Sequence, residues 1–151
     1  MKKDESIIAE NRRARQNYSI DDTFECGIVL KGAEAKSLRE HHVSFADSYG
    51  LLKDGEIFII GMRIERFKQS THEELDPERT RKLLLNRAEI NRIERTMKTK
   101  ASSLIPLKIY LKGGRIKILI GIGVGKSKID KRDTIKERES HREISRALKR
   151  G

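Results

Sequence analysis

The stretch PLKIYLKGGRIKILIGIGVG, residues 106–125, reads as two β-strands joined by a tight turn. Apolar and polar residues alternate on both sides of Gly113-Gly114, which is the period of a strand with one buried face. The alternating apolar positions are Leu107, Ile109 and Leu111 before the turn and Ile116, Ile118, Ile120 and Ile122 after it. This pattern predicts an antiparallel hairpin.

Two other segments repeat this pattern. SYGLLK (48–53) and EIFIIGM (56–62) flank Asp54-Gly55, a pair that favours a two-residue type I′ turn. An upstream strand is indicated by four apolar residues that would share one face: Phe24, Cys26, Ile28 and Leu30. Five or more mostly antiparallel strands predict a mainly β protein with helices, built as an OB-type antiparallel β-barrel decorated by short α-helices.

Three segments have helical features. GAEAKSLREHH, residues 32–42, is a candidate for a short helix. Asp76-Pro77-Glu78 has the order of an N-cap, a proline at the first helical position and an acid in the first turn, so it predicts another helix. Asn86 with Glu89 three residues later matches a capping box and predicts the start of a third.

The charge of the chain is large and unevenly distributed. The 151 residues carry a net charge of +11, and residues 126–151 hold ten Lys/Arg against five acids. That segment has too few apolar side chains to offset its ordering entropy, so we expect a basic tail that is disordered when free. The expected organisation is a basic N-terminal arm (1–15), an RNA-binding barrel (16–125) and the tail (126–151).

Several function classes are disfavoured by the sequence. GIGVGKS, residues 121–127, lacks the P-loop spacing because Ile120 stands where that motif needs glycine; its glycines would instead let the backbone leave the barrel and approach a phosphate. The four histidines and the single Cys26 form no recognisable metal or nucleophile pattern. We therefore expect no enzyme, no cofactor and no metal. The absence of Trp disfavours a membrane partner, and the lack of a signal-like N-terminus predicts a cytoplasmic protein.

Separate basic clusters favour nucleic acid as the partner, because arginine forks suit phosphates and asparagine can bind base edges or sugar hydroxyls. Each cluster alone could be a solvated face, but several on one small domain predict an RNA or DNA interface. The candidate residues are Asn11, Arg12, Arg13 and Arg15, then Lys36 and Arg39, then Arg79, Arg81 and Lys82, and finally Gly125, Lys126 and Lys128 at the exit from the barrel.

The chain resembles the tmRNA-binding small protein B family of bacteria, also called SsrA-binding proteins. The similarity covers nearly the whole sequence in order, which makes it far more specific than a single glycine motif. The matching strings are NRRAR (11–15), FECGIVLKGAEAKSLR (24–39), DSYGLLKDGE (47–56), HEELDPERTRKLLLNRAEI (72–90), PLKIYLKGGRIK (106–117) and GVGKSKIDKRDTIKERE (123–139).

The resemblance implies a partner and a process. Proteins of that family bind the tRNA-like domain of transfer-messenger RNA and, with elongation factor Tu and GTP, enter ribosomes stalled on messages without a stop codon. Their tail enters the vacant mRNA channel of the small subunit. By motif, the RNA-binding positions would include Asn11, Arg13, Glu25, Leu84 and Asn86. The positions near the decoding centre and its ribosomal RNA would be Ile129, Asp130, Lys131, Arg132, Lys136 and Arg138.

Some of these positions have other interpretations. Glu25 lies opposite the core row of its strand and could be an ordinary exposed acid, while Leu84 could be a core residue. The triplet 130–132 could be a solvated charge run, and Ile129 stands where many relatives have a histidine or aromatic residue. The alternative function is a structural ribosomal or general single-strand-binding OB-fold protein, with the tail anchored on ribosomal RNA.

Overall fold

The computed structural model describes residues 5–65 and 76–126, which form a mainly β structure with three short helices in that part of the chain. The elements in chain order are β1 (Glu5–Glu10), α1 (Ala14–Asn17), β2 (Tyr18–Ile28), α2 (Gly32–Arg39), β3 (Val43–Ser44), β4 (Tyr49–Lys53), β5 (Glu56–Ile60), β6 (Arg63–Ile64), β7 (Arg81–Leu84), α3 (Arg87–Thr99), β8 (Ser103–Lys112) and β9 (Arg115–Gly125).

The main sheet has seven strands in the order β1-β8-β4-β5-β7-β2-β9, and β8 also pairs with β9. This extra pairing closes six of the strands into a ring, β8-β4-β5-β7-β2-β9, in which every pair is antiparallel. Strands β3 and β6 form a separate two-stranded sheet. The prediction of a mainly β, antiparallel fold with helices is confirmed.

Both predicted hairpins are present. Asp54 and Gly55 connect β4 to β5 with φ values of 53° and 75°, and Gly113 and Gly114 connect β8 to β9 with φ values of 58° and 79°. Two consecutive residues at positive φ are what a type I′ turn requires, and its twist matches that of the flanking strands. These turns set the registers on which the rest of the ring depends.

The inside of the ring is filled by the alternating apolar residues of the strands. Ile118, Ile120 and Ile122 of β9 are fully buried, and Phe24 and Cys26 of β2 pack with them. Ile90 and Ile93 of α3 join this core, so the apolar side of the helix packs against the ring. Cys26 is a buried core thiol, as predicted, and burial raises the pKa of that thiol to about 12.

Helices α2 and α3 follow the sequence closely. The capping box at Asn86 and Glu89 is confirmed: the Asn86 side chain accepts a hydrogen bond from Glu89 N at 2.9 Å, and Glu89 accepts one from Asn86 N at 3.2 Å. Helix α2 ends at Arg39, three residues earlier than predicted. His41 terminates it in the left-handed region, with φ 66°, and its Nδ1 lies 2.8 Å from the Ile8 carbonyl oxygen of β1.

The helix predicted after Asp76-Pro77-Glu78 is wrong, because a turn and strand β7 occupy that segment. Asp76 Oδ1 accepts a hydrogen bond from Glu78 N at 2.9 Å, as an N-cap would, but here it closes a turn. Residues 81–84 then pair with β5 on one side and with β2 on the other. These tertiary pairings outweigh the local helix signal.

Part of the predicted N-terminal arm also belongs to the sheet. Glu5–Glu10 pair with Lys108–Lys112 of β8, and the register shifts between Ile7 and Ala9. That irregularity breaks the simple alternation by which a strand is recognised in sequence. Among the described residues of the arm, 11–15 follow this strand.

Candidate nucleic-acid interface

Four adjacent strands bring several predicted site residues to one surface, the outward side of β7, β2, β9 and β8, which we call the outer face. On β7, β2 and β9 the outward residues lie next to buried ones such as Leu83, Cys26 and Ile118, whereas on β8 Tyr110 points to the same side but is only 3% exposed. The strand registers create two outward rows across the sheet: Glu25, Leu119 and Lys108 form one, and Leu84, Gly27, Lys117 and Tyr110 form the other.

Glu25 has specific partners on the outer face. The Tyr110 hydroxyl donates a short hydrogen bond to its carboxylate, and Lys112 Nζ lies 3.3 Å from Oε2. The bond from Tyr110 is the main reason that the pKa of Glu25 lies below its usual value. Lys108 Nζ lies 5.1 Å from the centre of the Tyr110 ring. The predicted orientation of Glu25 away from the core is confirmed, and the carboxylate orders a tyrosine and a lysine around itself.

Leu84 is not a core residue, since 51% of it is exposed. It lies beside Gly27, where a Cβ would be 3.4 Å from Leu84 Cβ, so the missing side chain leaves the leucine room on the sheet surface. Val29, two residues after Gly27, is 44% exposed, and its N–H donates to the backbone oxygen of Lys82 on β7 at 2.9 Å. Leu84 and Val29 therefore give the outer face exposed apolar surface next to lysines.

The NRRAR segment is attached to the end of the outer face. Asn11 Nδ2 donates to Pro106 O at 2.8 Å, and Asn11 N donates to Leu107 O at the same distance. Ala14 is buried against Ile105 and Leu107 in a second, smaller apolar cluster. The exposed Arg12, Arg13 and Arg15 are thus carried on a short segment that is fixed to β8. Asn11 itself works as the anchor.

Gly125 and Lys126 lie at the same end. Gly125 pairs with Tyr18, and Lys126 N donates to the backbone oxygen of Asn17, the last residue of α1, at 3.1 Å. The earlier glycines of the GIGVG stretch have a different role from the predicted one: a Cβ at Gly121 would lie 2.7 Å from Ile20 Cγ2, so that position makes room for packing. Gly125 is exposed.

Arg79 and Arg81 belong to a buried ion cluster around Glu34 of α2. Arg81 is fully buried and Glu34 nearly so, and their closest N–O distance is 2.8 Å. Arg79 Nη2 lies 2.6 Å from the other carboxylate oxygen, and Arg81 also donates to the Met62 and Pro77 carbonyls. The prediction that Arg81 contacts RNA is therefore corrected: its guanidinium is enclosed and fixes the approach to β7.

The remaining candidates are distributed as follows. Lys82 faces outward on β7 and forms an ion pair with Glu56 at 3.0 Å. Asn86 is exposed, but its side-chain oxygen Oδ1 is used by the α3 cap, where it accepts from Glu89 N. Lys36 and Arg39 are exposed on α2. The Ser37 hydroxyl donates to the backbone oxygen of Glu65, the residue after β6, so α2 is held beside β6 and its two basic residues are not part of the outer face. Lys128, Ile129, Asp130, Lys131, Arg132, Lys136 and Arg138 lie outside the described residues.

The structure adds residues that sequence reasoning missed. Lys108, Tyr110, Lys112 and Lys117 belong to the outer face, yet the sequence presents them only as the polar positions of a hairpin. The sequence does not show the register of β9 against β2, and this register places Lys117 and the β8 residues in the same rows as Glu25 and Gly27. Alternation identifies which side of a strand is outward, but not which strand lies beside it.

Other kinds of site find no support in the described part of the chain. Among residues 5–65 and 76–126, no group of three or more His, Cys, Asp or Glu could hold a metal ion. No helix in those ranges is long and apolar enough to span a membrane.

A closed antiparallel ring with lysines, arginines and exposed apolar side chains on one side defines a small basic β protein of the nucleic-acid-binding class. Residues 8–150 match the family model described as SmpB protein, and the chain belongs to that family. The resemblance noted from the sequence motifs is thereby confirmed.

Individual relatives agree with this assignment. An SsrA-binding protein of Acetivibrio thermocellus is 47% identical over 148 residues, which cover 98% of this chain and 96% of the relative. One from Listeria welshimeri is 45% identical with the same coverage. A solved structure described as "tmRNA-SmpB: a journey to the center of the bacterial ribosome" contains a chain 41% identical to this one, with a TM-score of 0.66 and coverage of 80% of this chain and 85% of that one.

Proposed function

We propose that this protein binds the tRNA-like domain of transfer-messenger RNA and acts with it in trans-translation on stalled ribosomes. The names of its relatives and the tmRNA-SmpB structure support this partner. The observation that carries the proposal is the meeting of Glu25, Leu84 and the NRRAR segment, all implicated by family motifs, around one outer face.

The outer face suits a folded RNA better than a random polyanion. Phosphate contacts by lysines and arginines position an RNA without reading it, whereas apolar and hydrogen-bonding groups contact bases and sugars. Both kinds of group occur here: Lys117 lies in the same row as the exposed Leu84, and Lys108 and Lys112 lie on β8 on the side of the oriented Glu25. The ring would then be an OB-type barrel that presents one side to its RNA.

The tail completes the proposal from sequence alone. Residues 126–151 carry ten Lys/Arg, and we assign them to the small-subunit mRNA channel, with Asp130, Lys131 and Arg132 near the decoding centre. Elongation factor Tu with GTP would join through the RNA. The protein would act in the cytoplasm as an adaptor without enzymatic activity.

A binding comparison tests this function. We expect the intact chain to bind the tRNA-like domain more tightly than an elongator tRNA at every salt concentration between 50 and 300 mM, as measured by filter binding, because base and shape contacts persist when phosphate contacts are screened. Equal affinity for the two RNAs at about 0.15 M salt would contradict the adaptor and favour a general single-strand-binding protein.

A further inference from the structure

A second exposed surface lies across the ring from the outer face, on strands β4 and β5. In the ring order β8-β4-β5-β7-β2-β9, β4 stands opposite β2 and β5 stands opposite β9. Ile57 and Ile59 of β5 are buried, so the residues that alternate with them point outward. We call the outward side of these two strands the hairpin face. Its residues are Tyr49, Leu51 and Lys53 on β4 and Glu56, Phe58 and Ile60 on β5.

Most of the hairpin face is apolar. Two neighbouring cross-strand pairs have no charged member: Tyr49 with Ile60, and Leu51 with Phe58. Tyr49 is 47% exposed and Leu51 is 38% exposed, and their partners on β5 are partly exposed beside them. Contiguous apolar side chains on the surface of a small protein mark a place where another molecule is bound.

The charges around these apolar pairs favour a protein over a nucleic acid. Lys53 and Glu56 form the third cross-strand pair of the face and carry opposite charges. Lys82, which pairs with Phe58 from β7, is held by Glu56 at 3.0 Å. A strand of RNA stacked on the aromatic rings would need several cations for its phosphates. The outer face supplies such cations, whereas the hairpin face has little excess charge.

The order of the three pairs makes the hairpin face complementary to a copy of itself. A two-fold axis that runs along the strands places β4 of one molecule over β5 of the other at the same level. Each apolar pair then meets the same apolar pair of the second copy. At the charged end, Lys53 of each molecule faces Glu56 of the other, which gives two ion pairs. A two-fold axis across the strands would instead cover the charged pair with apolar side chains, at a large desolvation cost.

We propose that two copies of this chain associate through the hairpin face, with the two-fold axis along β4 and β5. Six side chains from each copy cover less than the roughly 800 Å² per partner that stable complexes bury, so the dimer is weak, with a Kd of about 100 µM. The outer faces of both copies stay open, because β2 and β9 lie on the far side of each ring. This inference goes beyond the proposed function and does not depend on it.

Sedimentation velocity on the nuclease-treated full-length chain measures this association. Between about 5 and about 500 µM, the wild type should change from monomer to dimer. Raising the salt from about 0.15 M to about 0.5 M should strengthen the dimer about threefold, because it screens the repulsion between two chains of net charge +11. A monomer at every concentration would overturn the proposal. So would an association that weakens with salt, since that is the behaviour of chains bridged by nucleic acid.

Exchanging the charges of one pair tests the orientation of the two copies. Lys53→Glu alone places carboxylates opposite each other, and Glu56→Lys alone places amines opposite each other, so each variant should raise the Kd at least about tenfold. An equimolar mixture of the two variants restores both ion pairs between unlike chains and should dimerise within about threefold of the wild type. A mixture that stays monomeric would overturn the two-fold arrangement.

Leu51→Glu tests the apolar pairs. It places a carboxylate without a counter-charge between the two faces, so the Kd should rise at least about tenfold. Ile7→Glu, at a similarly exposed apolar residue of β1 that lies off the hairpin face, is the matched control and should dimerise as the wild type does. If circular dichroism shows that Leu51→Glu is misfolded, Leu51→Ser replaces it. Dimerisation unchanged by the substitution at Leu51 would overturn the proposal.

The dimer and the proposed function fail in different measurements. At nanomolar protein, where the chain is monomeric, the variants of Lys53 and Leu51 should bind the tRNA-like domain as the wild type does, because the hairpin face lies across the ring from the outer face. Loss of RNA binding in these variants would show that the hairpin face belongs to the RNA interface, and would overturn its assignment to a second copy of the chain.

Discussion

Among single side chains, Glu34 has the most demanding environment. Its carboxylate accepts hydrogen bonds from Lys31 N at 2.9 Å, from Arg79 and from Arg81 while almost entirely enclosed. Burial alone would raise its pKa, but the bonds from Arg79, Lys31 N and Arg81 outweigh burial and lower the pKa of Glu34 to about 2. The charged form is thus much better stabilised in the folded protein than in the unfolded chain.

The first prediction concerns pH. Because the folded pKa of Glu34 is below its ordinary value of 4.5, the stabilisation is present above about pH 4.5 and is lost as the pH falls towards about 2. Glu34→Gln should lower the free energy of unfolding by roughly 3 kcal/mol at pH 7, since it leaves Arg81 buried without its counter-charge. Urea titrations from pH 2 to 7 measure this, and the difference from wild type should shrink at the acid end.

The control for that experiment is Glu94→Gln on α3. The Glu94 carboxylate makes a single long ion pair, at 3.9 Å, with the exposed Lys98, so the substitution should change the free energy of unfolding by less than about 0.5 kcal/mol. A Glu34→Gln protein as stable as this control at pH 7 would show that the ion cluster does not hold β7 in place.

The second prediction separates the two interpretations of Glu25. An ordinary exposed acid would only repel RNA, so Glu25→Gln and Glu25→Ala should both tighten binding. If the carboxylate orders Tyr110 and Lys112 for RNA, Glu25→Ala should weaken binding to the tRNA-like domain by about tenfold, and Glu25→Gln should lose less because its amide oxygen still accepts the tyrosine hydrogen bond. We expect the second pattern in filter binding, with Glu94→Gln as the neutral control.

Among the strands, β7 is the element whose prediction failed most clearly. The hairpins at 54–55 and 113–114 were predictable because two adjacent residues must adopt positive φ, a local requirement written in Asp-Gly and Gly-Gly. The local sequence before β7 does not distinguish a strand from a helix, since Asp76-Pro77 suits both a turn and a helix N-cap. Its identity as a strand comes from β2 and β5, which lie far away in sequence.

The third prediction follows from the outward side of β7. Leu84→Ala should change the free energy of unfolding by less than about 0.5 kcal/mol because Leu84 is already half exposed. Its affinity for the tRNA-like domain should fall about tenfold if the leucine is covered by RNA, as expected for the loss of one buried side chain. Leu51→Ala, a similarly exposed leucine on β4, should leave affinity unchanged. Equal losses in the two variants would show that the apolar contact is not localised to β7.

The chain as a whole divides its charge between the ring and the tail. Of 34 Lys/Arg, ten lie in residues 126–151, so binding of transfer-messenger RNA and action on the ribosome can belong to different parts of one protein. The outer face could be inferred from sequence only in part, because it needs the registers of β2, β8 and β9. The two-part organisation, by contrast, follows directly from where charge and apolar residues fall along the chain.

The fourth prediction tests that division. Removing residues 127–151 keeps Lys126, whose N–H donates a hydrogen bond to Asn17 O, so the end of β9 and its contact with α1 should stay intact. Affinity for the tRNA-like domain should then change less than about threefold at 0.15 M salt, where the charge of a segment that does not touch this RNA is largely screened. Peptide tagging on ribosomes stalled in a reconstituted translation reaction should be lost, since the part assigned to the mRNA channel is gone.

A more selective variant distinguishes the sequence of the tail from its charge. Asp130, Lys131 and Arg132 changed together to Ala remove two cations and one acid, and Glu143, Arg146 and Lys149 changed to Ala remove the same charges further along the tail. If the triplet meets the decoding centre, the first variant should abolish tagging while the second keeps most of it, and both should bind the tRNA-like domain as the wild type does. Equal tagging by both would mean that the tail acts through its charge alone, because a purely electrostatic segment is indifferent to where along its length the cations are removed.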